Sequence, residues 1–211
     1  MAKEVSIIDY GMSNLLSICR AFEHIGARVK IVGTEEDILS ADYLVLPGVG
    51  AFPDGIKELG KRNLVEPIKQ FARNGKPLLG ICLGMQMLLG KSYEHVETNG
   101  LDIIGGEVNA LPRDMKGYKV PNINWHSAEE NKTGDWKNTI FENTENGTCY
   151  YFVHSYYAMP KEEKHILANS QFGDLKFASA VKKDNVSGTQ FHPEKSGEDG
   201  LKLLKKFIEL L

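Results

Sequence analysis

The chain has 211 residues, a 42% hydrophobic share and a formal net charge of −3 at neutral pH. This composition is sufficient for a folded core in a single domain over residues 1–211, and the scattered charges of both signs exclude a dedicated nucleic-acid or anionic-membrane surface. Three cysteines without a C-x-x-C pair exclude a disulfide framework, and the amino terminus lacks a signal-peptide pattern, so we expect a cytoplasmic protein with free thiols.

The first half of the sequence alternates between strand and helix patterns. Short apolar runs predict strands at residues 5–8, 29–32, 43–46 and 77–81. Apolar residues at helical spacing predict helices at 15–25 and 64–74, each followed by a glycine, and a third helix beginning in the segment 85–89. Such alternation is typical of a parallel sheet with helices on both faces, in which ligands bind at the carboxyl ends of the strands.

The second half of the sequence favours antiparallel strands. Strand patterns occur at residues 148–156 and 177–181, and turn-rich stretches occur at 129–137 and 142–147. An amphipathic helix closes the chain, with an apolar stripe formed by Leu201, Leu204, Phe207, Ile208 and Leu211. We therefore expect an α/β domain whose mainly parallel central sheet, flanked by helices, carries added antiparallel strands.

The strongest functional motif is Gly-x-Cys-x-Gly at residues 80–84, between an apolar strand pattern and a helical pattern. This is the cysteine form of a nucleophile elbow, a tight turn that lifts the nucleophile above the sheet edge. The helix amino terminus would favour a Cys82 thiolate, and the Leu83 N–H is placed to donate to an oxyanion. Taken alone, the motif is equally compatible with a buried structural cysteine. We interpret the other two cysteines, Cys19 and Cys149, as core residues.

A cysteine nucleophile needs a base, and the base needs an orienting group. His192 follows a short strand pattern, and Glu194 lies two residues further on. Pro193 between them fixes a bend that would let the carboxylate reach the imidazole. By itself this short motif is also compatible with an ordinary surface turn.

The elbow and the His-Pro-Glu bend together resemble class I glutamine amidotransferases of the triad type, whose catalytic residues Cys82, His192 and Glu194 match one by one. The resemblance implies the family's flavodoxin-like α/β fold. Further segments are most similar to the glutaminase subunit of imidazole glycerol phosphate synthase, and they lie at residues 9–14, 46–52, 80–86, 151–157 and 190–196.

The resemblance also implies roles outside the triad. The oxyanion hole would be formed by Val49, Gly50 and Leu83, and glutamine would be held by Gln86, Ser155 and Tyr156. The positions that match the family's partner-facing residues are Asn14, Trp125, Tyr151 and Lys195. Without the resemblance, the two aromatic residues in this set would be interpreted as buried, and the lysine as an ordinary surface residue.

One segment departs from the family pattern. Where the family has Val-Pro-His-Met-Gly-Trp-Asn, residues 120–126 read Val-Pro-Asn-Ile-Asn-Trp-His. Asn122 and Asn124 thus replace a histidine and a glycine in a stretch that faces the partner in the family. The triad is unaffected, but two ammonia acceptors stay open: a histidine-pathway cyclase and a nucleotide-sugar amidation enzyme.

The resemblance implies hydrolysis of glutamine through a cysteinyl thioester, without a metal or an organic cofactor. The ammonia would pass to a (βα)8-barrel cyclase subunit in a heterodimer, and the isolated chain would have low activity. Two alternatives remain: a free-standing cysteine hydrolase, which has no reason to keep Gln86, Ser155 and Tyr156, and a non-catalytic regulatory subunit, which has no reason to keep an intact triad.

Overall fold

The computed structural model describes residues 2–114, 116–132 and 135–210. Helices in the described ranges are α1 (Leu15–His24), α2 (Glu35–Ser40), α3 (Phe52–Lys61), α4 (Val65–Arg73), α5 (Leu83–Met87) and α6 (Gly197–Ile208). Strands are β1 (Glu4–Ile8), β2 (Arg28–Val32), β3 (Tyr43–Leu46), β4 (Leu78–Ile81), β5 (Lys91–Ser92), β6 (Thr98–Asn99), β7 (Gly106–Ala110), β8 (Asn122–Ser127), β9 (Glu129–Glu130), β10 (Cys149–His154), β11 (Tyr156–Pro160), β12 (Ile166–Phe172), β13 (Leu175–Lys183) and β14 (Val186–Thr189). Short 3-10 helices cover Glu163–His165 and Pro193–Lys195.

A mixed sheet of twelve strands forms the centre of the described structure. Its order is β2-β1-β3-β4-β14-β13-β11-β7-β5-β6, with β12 pairing β13 and β9 pairing β12. The five strands from β2 to β14 in this order are parallel, whereas β13, β11 and β7 join antiparallel. Because parallel strands end at one edge, the segments that follow β1, β3, β4 and β14 meet there.

Hydrophobic cores lie on both faces of the parallel part of the sheet. Successive side chains of a strand point to opposite faces, so Ile7 packs with α1 and α6, whereas Ile8 packs with α2, α3 and α4. All four residues of β3 and all four of β4 are buried. A strand buried on both faces reads as a continuous apolar run, which is why the sequence pattern located these strands.

The predicted fold of the first half is confirmed. Each predicted strand and helix is present, and its boundaries differ by no more than two residues from those of the structure. Two helices, α2 and α3, were not predicted. Their signals are local and polar: the Thr34 hydroxyl accepts the Asp37 N–H at the start of α2, and Pro53 lies in the first turn of α3.

The second half contains the strand predicted over 177–181, within β13, but differs from the prediction elsewhere: β7, β8 and β12 were not predicted, and β9 lies in the stretch predicted as turn-rich. The strand predicted over 148–156 is divided at Ser155 into β10, which pairs with β8, and β11, which joins the large sheet. Cys149, predicted as a core residue, is exposed at the start of β10, because the even-numbered residues of this strand face the core and the odd-numbered ones face outward. Cys19 is half-buried on α1.

The closing helix is confirmed, with Leu204, Phe207 and Ile208 buried and Leu201 packed against the core. Leu211, predicted to extend its apolar stripe, lies outside the described residues. Within those residues, we find no helix with the length and apolar character needed to cross a bilayer.

Candidate active site

Cys82 lies at the strained turn between β4 and α5. Its backbone has a φ of 55° and a ψ of −109°, in the left-handed region that L-residues rarely adopt. The Cys82 N–H donates to the Thr189 carbonyl at 2.7 Å, which holds the turn against β14. A Cβ at Gly84 would overlap the carbonyl oxygen of Leu46, and one at Gly80 would lie 2.9 Å from the Gly84 oxygen. The two glycines therefore allow the elbow to form.

The Cys82 sulfur lies in a nearly closed environment at the carboxyl edge of the sheet. The residue is 8% exposed, and its Sγ lies 3.9 Å from the Val153 carbonyl oxygen. The fully buried Gln190 donates an Nε2 hydrogen towards Sγ at 3.8 Å. An N–H directed at sulfur can stabilise negative charge that develops on it during a reaction.

His192 and Glu194 form a buried pair on the segment after β14. The His192 N–H donates to the Tyr151 carbonyl at 3.0 Å, and the Ser196 hydroxyl donates to the His192 carbonyl at 2.7 Å. The 3-10 helix that begins at Pro193 returns the Glu194 carboxylate to the ring, where Oε1 lies 2.8 Å from Nδ1. Both side chains are nearly inaccessible, at 4% and 1% exposure. Because a carboxylate oxygen accepts, His192 carries a proton on Nδ1 and donates it to Glu194.

Burial and polar contacts act on the pKa of His192 in opposite directions. Burial lowers the pKa of His192, but its interactions with Cys82 and Glu194 outweigh this effect and raise the pKa to about 10. Among the described residues, none lies in hydrogen-bonding geometry with His192 Nε2. The imidazole is therefore held protonated at neutral pH, with a proton available at Nε2.

These groups open into one cavity of about 300 Å³, which is within the size range of small-molecule sites. Most of its lining residues lie at the ends of β3, β4, β10 and β14, whereas Glu94 follows β5 and Pro121 precedes β8. The full set is Val49, Gly50, Cys82, Leu83, Gln86, Glu94, Pro121, Val153, His154, Ser155, Tyr156 and His192. The structure thus brings together residues that sequence analysis assigned to nucleophile, base, oxyanion hole and glutamine binding. No group of three or more His, Cys, Asp or Glu side chains within the described ranges is arranged to hold a metal ion.

The expected oxyanion loop reaches the cavity, but one of its donors is already engaged. The Val49 N–H donates to the Met12 carbonyl at 2.9 Å and therefore does not point to the reacting centre. Gly50 follows with a φ of 99°, which a glycine adopts without strain. Leu83, at the first position of α5, has no earlier helical turn to accept its N–H.

The expected glutamine-binding residues lie side by side in the cavity. Gln86 is 5% exposed, and its Nε2 donates to the Tyr156 carbonyl at 2.9 Å and to Gln190 Oε1 at 3.0 Å. Both amide hydrogens are therefore used within the protein, and the Gln86 carbonyl oxygen is left as an acceptor. Ser155 and Tyr156, at the break between β10 and β11, complete this wall.

Glu94 is a residue that sequence analysis missed. It lines the cavity between β5 and β6, and its Oε2 accepts the Phe52 N–H at 2.7 Å at the start of α3. The segment around it carries no periodic pattern and no motif, so only the tertiary structure places this carboxylate in the cavity that also contains Gln86. Glu94 is the one acidic side chain among the described residues that line the cavity.

The expected partner-facing residues lie at the surface near this edge. Trp125 is 50% exposed and makes an edge-to-face contact with the half-buried Tyr151, with ring centroids 6.0 Å apart. The Tyr151 N–H is bonded to Ser196, which is adjacent to the exposed Lys195. Asn14, before α1, is also exposed. Interpretation of both aromatic residues as buried would have been wrong, because odd-numbered residues of β8 and β10 face outward.

The fold and the site define a class of enzyme. Residues 6–210 match the family model described as glutamine amidotransferase class-I, and the chain belongs to this family. It is 50% identical over 210 residues to imidazole glycerol phosphate synthase subunit HisH 1 of Legionella pneumophila strain Paris, covering 98% of this chain and 99% of that protein. It is 46% identical over 202 residues to the HisH subunit of Aquifex aeolicus, covering 95% and 94%.

Solved structures confirm the fold class. The structure of PurLQS from Thermotoga maritima superposes with a TM-score of 0.76 at 19% identity and covers 99% of both chains. The glutaminase domain of a Trypanosoma brucei CTPS with bound acivicin gives a TM-score of 0.67 at 16% identity, covering 99% of this chain and 94% of that one. At these identities the likeness concerns the fold alone.

Proposed function

We propose that this chain hydrolyses glutamine at Cys82 and transfers the ammonia to a cyclase, as the glutaminase subunit of an imidazole glycerol phosphate synthase. The observation that carries the proposal is the convergence of Cys82 and of the Glu194-bonded His192 on one cavity that also contains Gln86. The full-length similarity to HisH subunits supports the particular role. A free-standing hydrolase of another substrate would have no use for this glutamine-binding wall.

The first half-reaction releases ammonia. The Cys82 thiolate attacks the side-chain carbonyl carbon of glutamine and forms a tetrahedral oxyanion. His192 gives its Nε2 proton to the departing nitrogen, the C–N bond breaks, and a glutamyl thioester and neutral ammonia remain. The Glu194 carboxylate, bonded to Nδ1, holds the ring in the orientation that this transfer requires.

The second half-reaction restores the enzyme. The neutral His192 takes a proton from water as the hydroxyl attacks the thioester, and the Cys82 thiolate then leaves. Glutamate departs after its new carboxyl group loses a proton to solvent. The cycle needs no cofactor, because the proton that His192 donates in the first half-reaction is recovered in the second.

The oxyanion is proposed to receive the Leu83 N–H and one N–H of the Val49–Gly50 loop. The Val49 N–H must leave the Met12 carbonyl before it can contribute. A rotation of the peptide next to Gly50 has little steric resistance, because glycine adopts both signs of φ. We therefore expect slow hydrolysis by the isolated chain and faster hydrolysis when the partner and its ligand stabilise the rotated loop.

Glutamine is proposed to bind with its polar groups matched to the cavity. The Gln86 carbonyl oxygen is available for an N–H of the substrate, and Ser155 and Tyr156 form the adjoining wall. The Glu94 carboxylate is the complement for the substrate α-ammonium group, since it keeps one oxygen available after accepting the Phe52 N–H.

We predict that Glu94→Gln raises the KM for glutamine by about 10- to 100-fold and changes kcat much less, because a charge-assisted hydrogen bond contributes about 1.5–3 kcal/mol. The amide oxygen can still accept the Phe52 N–H, so the fold should be retained. Steady-state kinetics of glutamate production measures both constants. The control is Glu97→Gln, which removes an exposed carboxylate from the same segment. An unchanged KM in Glu94→Gln would exclude this role.

A second prediction concerns the pH dependence of activity. The Glu194 carboxylate is among the groups that raise the pKa of His192, and activity requires the protonated ring. Activity is thus lost as pH rises through this pKa, and Glu194→Gln should move the alkaline limb of kcat/KM to lower pH. At neutral pH we expect a loss of about 10- to 100-fold, typical of a lost charge-assisted hydrogen bond. An unshifted alkaline limb would contradict the role of Glu194.

The partner is proposed to be a (βα)8-barrel cyclase that binds near the cavity mouth and forms a heterodimer in the cytoplasm. Asn14, Trp125, Tyr151 and Lys195 supply a surface with exposed aromatic area and one positive charge, a composition suited to a protein interface. In the assembled enzyme the ammonia would serve a lyase reaction that closes the imidazole ring.

The test is glutamate production from glutamine with a purified barrel cyclase from the same organism, with and without its nucleotide substrate. Strong stimulation supports the proposed partner. No stimulation, with Cys82 still alkylated by an electrophilic glutamine analogue, would overturn the cyclase partner and direct the search to nucleotide-sugar amidation. A Cys82 inert to the analogue would overturn the glutaminase itself and favour a regulatory subunit.

A further inference from the structure

A hydrogen-bonded row of polar side chains begins on the paired strands β8 and β10, with Asn122 and His154 buried and His126 half-buried. His126 Nε2 lies 2.8 Å from Asn122 Oδ1, and Asn122 Nδ2 lies 3.0 Å from His154 Nε2. His154 Nδ1 lies 2.9 Å from the Tyr156 carbonyl oxygen. Asn122 is 3% exposed and His154 is 6% exposed. Because water cannot easily reach these groups, loss of one hydrogen-bond partner would leave the other unsatisfied and destabilise the site.

The donor and acceptor in each contact are determined by chemistry. A carbonyl only accepts, so His154 Nδ1 carries a proton that it donates to Tyr156. Burial lowers the pKa of His154 to about 4, so the ring is neutral and its Nε2 accepts from the Asn122 amide. Asn122 Oδ1 therefore faces His126, whose Nε2 donates to it. Each of the three contacts has one donor and one acceptor.

The row continues to the nucleophile. The Tyr156 carbonyl also accepts the Gln86 amide at 2.9 Å, and Gln86 donates its other hydrogen to Gln190 Oε1. Gln190 in turn directs its amide at the Cys82 sulfur, 3.8 Å away. The side chain of Asn122 is thus connected, through His154 and one backbone carbonyl, to the residue that presents an acceptor to glutamine.

The pairing of β8 with β10 places Asn122 within reach of His154. In the β8–β10 register Asn122 is opposite His154, and His126 is opposite Tyr150. Rings enclose the row, with His126 against Phe152 and His154 against Phe177, at centroid distances of 5.4 and 5.2 Å. Because the packing around this polar pair is tight, a substitution that changes side-chain volume should disturb the pair, as should one that removes a hydrogen bond.

We infer that Asn122, held by His126, is a positioning residue for glutamine binding, because it fixes His154 and through it the Tyr156 carbonyl that orients Gln86. This inference rests on the proposed function. Asn122 itself does not line the cavity, and its role is exerted through His154 and Tyr156, which do. Loss of the amide should weaken binding of glutamine more than it alters the intrinsic reactivity of Cys82.

The test uses a diazoketone analogue of glutamine that alkylates Cys82. The alkylation rate saturates with analogue concentration, and the concentration at half-saturation gives the inhibition constant. This measurement needs no partner protein. Iodoacetamide measures thiol reactivity in parallel, and peptide mass mapping separates Cys82 from Cys19 and Cys149. Asn122→Ala should raise the analogue's inhibition constant by about tenfold, the effect of one lost buried hydrogen bond. The iodoacetamide rate should change by less than about threefold, well below the range of one such bond.

Asn131→Ala is the matched control for structural damage. Asn131 is 4% exposed, and its amide bonds to the Glu163 carbonyl and to the buried Asn169, away from the cavity. Both alanine variants should lose comparable stability in urea unfolding, but only Asn122→Ala should weaken the analogue. Equal inhibition constants in the two variants would overturn the inference.

Because Asn122 and His126 contact each other, exchanging the two side chains supplies a rescue. Asn122→His alone adds volume beside His154, and His126→Asn alone leaves a gap, whereas the double variant keeps the summed volume and a complete donor–acceptor series. Each single variant should raise the inhibition constant by about tenfold, and the double variant should return it to within about twofold of the parent, as expected for coupled neighbours. Additive losses would overturn the inference. A parent protein that the analogue never labels would instead refute the proposed function.

Discussion

Cys82→Ala is expected to reduce glutamate production from glutamine by about 10⁴-fold or more, because removal of the nucleophile of a triad removes the covalent route. The expectation follows from geometry, since no other cysteine among the described residues lines the cavity that contains His192. Glutamate should be assayed both in the isolated chain and with the barrel cyclase. Urea unfolding should show a folded variant with a loss of stability of no more than about 1–2 kcal/mol, because the substitution removes one buried side-chain atom.

Cys149→Ser is the matched control for this prediction. Cys149 is exposed at the start of β10, and its thiol lies 3.8 Å from the Gly147 carbonyl, so its loss should leave activity unchanged. Residual activity in Cys82→Ala above one-hundredth of the parent would contradict covalent catalysis at this residue, since triad knockouts retain far less than that, about 10⁻⁴ or below.

Gly84→Ala is expected to destabilise the fold by about 4 kcal/mol or more, at the upper end of single-residue effects. The added Cβ would overlap the carbonyl of Leu46, a backbone atom of the neighbouring central strand that cannot rotate away. The elbow would have to move away from β3, and Cys82 would move with it. Urea unfolding measures the loss, and poor recovery of folded protein would be a consistent outcome.

Gly60→Ala provides the opposite result for the same chemical change. Gly60 lies in α3, and a Cβ there would meet nothing within 4 Å. Alanine should therefore stabilise the protein by up to about 1 kcal/mol through helix propensity. If Gly84→Ala were as well tolerated as Gly60→Ala, the close approach of the elbow to β3 would be refuted.

The parallel half of the fold could be predicted because its signals are local. Strands such as β3 and β4 are buried on both faces and appear as uninterrupted apolar runs, whereas α1 and α4 repeat apolar residues at helical spacing. The proposed triad could be predicted for the same reason. The elbow needs glycines on both sides of Cys82, and the Pro193 bend brings Glu194 to His192 within three residues.

Other features of the site could not be predicted, because they depend on contacts between distant segments. Glu94 reaches the cavity through its bond to Phe52, 42 residues away, and no motif accompanies it. The engagement of the Val49 N–H by the Met12 carbonyl is likewise a contact between two loops. The exposure of Cys149 depended on which face of β10 meets the core.

The sequence by itself determined the positions of the parallel strands, the elbow at Cys82 and the pairing of His192 with Glu194, since each depends on residues that are neighbours in the chain. Only the tertiary structure decided which polar groups share the cavity and which are already bonded. Asn122 illustrates the difference: in the sequence it is a departure from a pattern, and in the structure it is hydrogen-bonded to His126 and His154. Hydrogen-bond partners across strands are set by register, and register follows from burial of the whole sheet rather than from any local run of residues.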